Sequence, residues 1–160
     1  MGVTLRPQQP EDLPALTGGE SPFDSFGPQA PRTTPAAPGL DGAGALSVVV
    51  DDGELAGMLS WHWQKWGPNE GSRCPMIGIW LRPEHRGRGI GTAAQARLVE
   101  LFFQHTTANR IEAHTDVENT AEQRALEAAG FQREGRTRGA QWRDGAYRDG
   151  YLYAILRDDR

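Results

Sequence analysis

The chain has 160 residues, 24% of them charged, and a formal charge of −4 at neutral pH. That length suits one domain able to bury a core without metal or disulfide staples. The mild acidity argues against a generic nucleic-acid binder, which needs a basic surface to displace counterions from phosphate. No apolar run approaches the ~18 residues of a membrane span, and the one cysteine, Cys74, permits no internal disulfide. The start at Met1–Pro7 lacks the basic and apolar segments of a secretory signal, and Arg6 stands where a myristoylation signal wants Ser or Thr. A cytoplasmic protein without a metal centre is the expectation.

In chain order, Val3–Arg6 reads as a short strand and Pro7–Leu16 as a small helix with Glu11 and Asp12 in its first turn. From Thr17 to Gly44 the density of Gly and Pro, including Pro22, Pro28, Pro31, Pro35 and Pro38, excludes a long helix. This stretch is either a disordered linker or a partly ordered lid docked through Phe23 and Phe26. Leu46–Val50 and Leu55–Trp63 flank an Asp-Asp-Gly-Glu turn and predict a hairpin. The apolar run Met76–Leu81 predicts a strand buried on both faces. Gly89–His105 carries Ala93, Ala96, Leu98, Leu101 and Phe102 at helical spacing. Arg110–Thr115 reads as a strand, Thr120–Ala129 as a helix closed by Gly130, and the segments around Phe131–Gly139 and Tyr147–Leu156 as two strands. The order β-α-β-β-β-α-β-α-β-β describes one mixed α/β domain over residues 1–160.

Between the apolar strand and the long helix lies Arg86-Gly87-Arg88-Gly89-Ile90-Gly91. A helix N-terminus offers unpaired N–H groups and partial positive charge, and glycines let main chain approach a phosphate closely. The glycines do not have the spacing of a dinucleotide fingerprint, and no Lys-Ser or Lys-Thr pair follows them, so Rossmann and nucleoside-triphosphate loops are disfavoured. Taken alone, the pattern remains open between a plain turn and an anion site.

Arg86-Gly87-Arg88-Gly89-Ile90-Gly91 resembles the R/Q-x-x-G-x-G/A signature of the GNAT superfamily of N-acetyltransferases. The stretch from Asn119 to Phe131, an Asn opening a helix that ends in Gly-Phe, looks like that family's second block, and the likeness is nearest to the branch with ribosomal-protein N-terminal acetyltransferases. The resemblance implies a mixed, mostly antiparallel central sheet of about six to seven strands, flanked by helices and splayed at an acetyl-CoA site. It implies acetyl-CoA as acyl donor and direct attack by a primary amine in a ternary complex. The alternative is a non-catalytic acyl-CoA-binding regulatory domain. A nucleotide-phosphate binder outside the family is a third reading.

The resemblance further implies that amides from Arg86 through Gly91, with Thr92, hold the pyrophosphate. The strand Ile79, Trp80, Leu81 then bonds the pantetheine arm, with an N–H near Trp80 or Leu81 facing the developing oxyanion. Asn119 serves as a ligand of that arm or as a helix N-cap. His114 and Glu112 share strand parity and are the candidate bases, directly or through water, each with an ordinary hydrogen-bonding role beside it. Glu122 stands where the nearest branch often carries Ser, and its plain reading is a first-turn carboxylate. Tyr147, Tyr151 and Tyr153 are candidate acids. Trp61 and Trp63 read as core or dimer surface, or as an acceptor pocket closed by Phe26. A homodimer is compatible with this pattern, and the amine itself, whether peptide N-terminus, lysine, polyamine, antibiotic or aminoacyl-tRNA, is left open.

Overall fold

The computed structural model describes residues 2–17 and 21–160. Seven strands form one sheet: β1 (Val3–Arg6), β2 (Gly44–Val50), β3 (Glu54–Lys65), β4 (Arg73–Leu81), β5 (Arg110–Asp116), β6 (Gln132–Arg143) and β7 (Ala146–Leu156). Helix α1 (Ile90–His105) joins β4 to β5, and α2 (Thr120–Ala128) joins β5 to β6. The sheet order is β1-β2-β3-β4-β5-β7-β6. Among its pairs only β4–β5 is parallel, as a strand–helix–strand crossover requires. That pairing is confined to Met76↔Glu112 and Ile77↔Ala113, after which the two strands part.

Local chemistry sets the turns. Between β6 and β7, Asp144 (φ 52°) and Gly145 (φ 77°) both adopt positive φ, the two-residue turn that matches hairpin twist. The expected helix at Pro7–Leu16 is shorter, a 3-10 turn at Pro10–Ala15 with Pro14 inside it. Proline cannot donate to a longer helical ladder. Asp12 anchors that turn, accepting from Arg6 Nη1 at 2.7 Å and Ser47 Oγ at 2.8 Å.

The buried stripe of α1 is Ile90, Ala94, Leu98, Val99 and Phe102, with the Gln95 side chain enclosed beside it. This corrects the expected stripe: Leu98 and Phe102 hold, while Ala93 and Leu101 are only half-buried. Phe102 sets the rotation, because the rings of Trp61 and Trp63 meet it edge-on, centroids 5.5 and 5.8 Å away. Those indoles also tie down the Gly/Pro-rich stretch. Trp61 Nε1 donates to Gly42 O and Trp63 Nε1 to Leu40 O, each at 2.8 Å. Further along, Ala36 N–H donates to Gln8 Oε1, Asp144 N–H to Ser25 O and Arg143 to Pro22 O. The described part of this segment is therefore a docked strap with one 3-10 turn at Pro22–Asp24. Gly18, Gly19 and Glu20, which the sequence reading included in it, lie outside the described residues. Among the described residues no helix is long and apolar enough to cross a membrane.

Candidate active site

The expectation that Met76–Leu81 is buried on both faces needs correcting, and the correction locates the site. Gly78 is exposed and Ile79, Trp80 and Leu81 are half-buried, because β5 has already diverged and leaves this end of β4 open. Arg82 N–H donates to Ala56 O at 2.8 Å. Alternation along the antiparallel β3–β4 ladder then turns the main-chain groups of Trp80 and Gly78 toward β3, and those of Ile79 and Leu81 toward the gap. Leu81 O accepts from Arg86 Nε at 3.0 Å on that side. Trp80, expected among the main-chain donors, thus turns its main chain away from the cleft and lines it with its side chain, while the main chains of Ile79 and Leu81 face the gap.

Beyond β4 the chain enters the glycine loop. Gly87 (φ 70°) and Gly89 (φ 79°) take left-handed conformations, where a Cβ is strained although each has open space around it. Gly91 is not demanded by backbone conformation, and a Cβ there would make ordinary contact with Leu81 and Ile79. Gly89 is the N-cap of α1, and the first main-chain bond of that helix runs from Ala93 N–H to Gly89 O. The preceding amides of Ile90, Gly91 and Thr92 are the donors that a helix start leaves to other acceptors.

These elements enclose a cavity of about 550 Å³, lined by Ile79, Trp80 and Leu81, by Arg86, Gly87 and Gly89 through Thr92, and by Asn119, Glu122 and Arg124 of the α2 region. Arg88 is exposed and does not line it. The donor set suits a diphosphate-bearing acyl carrier: amides at a helix start, a guanidinium, and an apolar trough beside an open strand edge. Asn119 Oδ1 accepts from Glu122 N–H at 3.2 Å, so its capping role is formed and its side chain also faces the cavity.

A second cavity of about 250 Å³ adjoins the first and shares Phe23, Asp24, Ile79, Asn119 and Glu122 with it. His114 lines this smaller space together with Phe26 and Gln141. Its Nε2 lies 2.6 Å from Thr137 Oγ1, and burial lowers its pKa, against an opposing pull from Asp116. A third space of about 470 Å³ continues outward past Asp24, Phe26, Arg32 and Trp80. This third space lies beneath the strap.

Several predicted side chains lie elsewhere. Glu112 is fully enclosed, its Oε2 accepting from Trp66 Nε1 at 2.9 Å and Arg110 Nε at 2.7 Å. It shares His114's face but sits one pleat earlier, where β4 and β5 are still paired. Tyr153 is also fully buried, donating to Glu127 at 3.0 Å, and burial and that carboxylate push its pKa up to about 12. Neither lines the cavities, which places both outside the expected base and acid roles. Trp61 and Trp63 pack on α1, so the acceptor-pocket reading does not fit them; of the expected acceptor residues, Phe26 alone reaches the cavities. The residue missed was Glu122. Half-buried, it faces both inner cavities, and burial raises its pKa to about 7 against a hydrogen bond from Gln95 that lowers it.

A family model described as "Acetyltransferase (GNAT) domain" matches residues 3–132. With the splayed sheet and the glycine loop at α1, this establishes that the chain belongs to the GNAT acetyltransferase domain family. It is 32% identical over 114 residues to "Putative ribosomal N-acetyltransferase YdaF" of Bacillus subtilis, covering 71% of this chain and 60% of that protein. The structure titled "Mycobacterium smegmatis RimJ in complex with CoA-disulfide" matches at 31% identity and TM-score 0.65, over 73% of this chain and 54% of that one. Spermidine N-acetyltransferase from Vibrio cholerae, in complex with CoA and spermine, shares the fold at TM-score 0.74 and 20% identity, covering 98% and 96%. The chain thus spans about half to three-fifths of the curated relatives it matches.

Proposed function

We propose that this protein transfers an acetyl group from acetyl-CoA to a primary amine, by direct attack within a ternary complex. The observation that carries the reading is one continuous cavity holding the amides at the start of α1 and the open edge of β4. Arg86 and the amides of Ile90, Gly91 and Thr92 would bind the diphosphate, and the Ile79 and Leu81 main chain would bond the pantetheine arm. The Leu81 or Ile79 N–H would then face the acetyl carbonyl oxygen as charge develops on it.

The acceptor enters beneath the strap, where Asp24 lines all three connected cavities and provides a carboxyl for an incoming ammonium. His114, held neutral near pH 7 by burial, takes the proton the nitrogen sheds. The test is a screen of amines with acetyl-CoA, following free thiol and acetylated product by mass spectrometry. Ribosomal-protein N-terminal peptides and polyamines belong in it, since the similar proteins' names point to both. Acetylation of at least one amine class is expected. Tight acetyl-CoA binding without thiol release would favour a regulatory acyl-CoA-binding domain instead.

A further inference from the structure

Between the donor cavity and the cavity holding His114, the shared wall contains two carboxyl groups, Asp24 on the strap and Glu122 on α2. We infer that Glu122 is the acid of this site and delivers a proton to the sulfur of coenzyme A as it departs. The inference rests on the acetyl-transfer reading and assigns a role that reading leaves vacant.

The placement is specific. Glu122 is one helical turn beyond the Asn119 cap, its N–H donates to Asn119 Oδ1 at 3.2 Å, and it lines both cavities. Its side-chain partner is the Gln95 amide, and Gln95 Nε2 also reaches Gly91 O at 3.1 Å in the first turn of α1. The carboxyl is therefore indexed to the same turn that offers amides to the diphosphate. A neutral amide partner leaves the protonated form accessible, whereas an arginine partner would hold the group ionised. Asp116, a further acid at the smaller cavity, has Arg143 as its partner instead. The remaining charged or titratable groups around the two cavities are Asp24, His114, Arg86 and Arg124. Enclosure raises Glu122 to about 7, so a substantial fraction carries its proton at neutral pH.

The step balances. The incoming ammonium first loses one proton to solvent; the neutral nitrogen then bonds to the acetyl carbon, and the carbon–sulfur bond breaks with its electron pair on sulfur. Glu122 gives its proton to that sulfur, and the proton lost by nitrogen passes to the His114 imidazole. Solvent then returns a proton to Glu122 and removes one from His114.

Glu122→Gln keeps the shape and the contact with Gln95 but has no acid. With the best amine of the screen, the parent should exceed the variant roughly 10²-fold at pH 6, within the usual range for general acid catalysis. That ratio should fall toward one above pH 8, as Glu122 ionises in the parent. Using the ratio cancels titration of the amine itself. The KM for acetyl-CoA should be unchanged, which a merely structural role would not predict.

A second readout needs no turnover. In ligand-free parent protein labelled with carboxyl carbon-13 glutamate, one side-chain resonance should titrate near pH 7 and be missing from Glu122→Gln. Equal rates for parent and variant across pH, or no carboxyl titrating between pH 6 and 8, would overturn the assignment and leave acetyl transfer standing. A parent that binds acetyl-CoA and acetylates no amine overturns both.

Discussion

Asp116 at the end of β5 and Arg143 at the end of β6 form an ion pair, 7% and 3% exposed, that fastens the strap to the sheet beside the acceptor cavity. Arg143 Nη1 also donates to Pro22 O at 2.8 Å, and its guanidinium lies within 5.6 and 5.9 Å of the Phe23 and Phe26 ring centres. One cation thus positions the segment that roofs the acceptor path. Arg143→Met would leave Asp116 buried and unpaired, a loss of about 3 kcal/mol. In a domain of this size that lowers the melting temperature by roughly 10 °C. Adding Asp116→Asn should recover part of the loss, measured by calorimetry, since the stranded charge is then gone. A melting temperature unmoved by Arg143→Met would show that the pair fastens nothing.

The glycine loop separates backbone strain from ligand contact. Gly89 sits at φ 79° with nothing within 4 Å of its hypothetical Cβ. Gly89→Ala should therefore cost about 1 kcal/mol of stability through left-handed strain, and only modestly weaken acetyl-CoA binding. Gly89→Glu places bulk and negative charge where the diphosphate would lie and should abolish binding by calorimetric titration. Undiminished affinity in the glutamate variant would move the donor away from this turn.

His114 gives a pH-dependent expectation. Burial lowers its pKa below the ordinary imidazole value, so the ring is neutral at pH 7 and becomes protonated only in more acidic solution. A base is lost on protonation, so parent turnover should fall as pH drops through that lowered value. His114→Gln should reduce kcat roughly 10²-fold at neutral pH and leave acetyl-CoA affinity intact. If its pH–rate profile superimposes on the parent's, the imidazole is only a hydrogen-bond partner of Thr137.

Acid stability should depend on Asp12. Its hydrogen bond from Arg6 is the largest cause holding its pKa at about 2, below the ordinary aspartate range. A lowered carboxyl stabilises the fold above its unfolded value and loses that contribution as pH falls from about 4 to 2. The shift corresponds to about 2 kcal/mol. Asp12→Asn should therefore lower stability at pH 6 by that order and flatten the acid limb between pH 4 and 2, read by urea unfolding. A variant whose acid limb matches the parent's would assign the loss to other carboxylates.

The order of elements along the chain and the glycine loop before α1 were readable because periodicity and glycine punctuation are local properties. Gly87 and Gly89, Asn119 as cap, and the α1 segment each follow from a few neighbouring residues. What was not readable depends on contacts between distant parts of the chain. Trp61 and Trp63 have the chemistry of an amine pocket, yet Phe102, about forty residues on, claims their ring edges. Glu112 and His114 share parity, but the sequence does not say that β4 and β5 part company between them. Glu122 looks like an ordinary first-turn carboxylate until α2 is seen packed on α1, β5 and β6, with Glu122 lining the same cavity as the open end of β4. The strap's composition resembles a linker because its ordering comes from Trp61, Trp63, Gln8 and Arg143, none of which lies within it.

The two-residue pairing of β4 with β5 has a thermodynamic corollary. Past Ile77 the protein carries an unfinished rung-and-rail ladder, with the Ile79 and Leu81 amide groups presented to an empty lane. An amide-bearing arm laid into that lane would act as a borrowed strand, completing the weave only while it stays. Donor occupancy would then add to the stability of the fold through mass action, by an amount that grows with the logarithm of donor concentration.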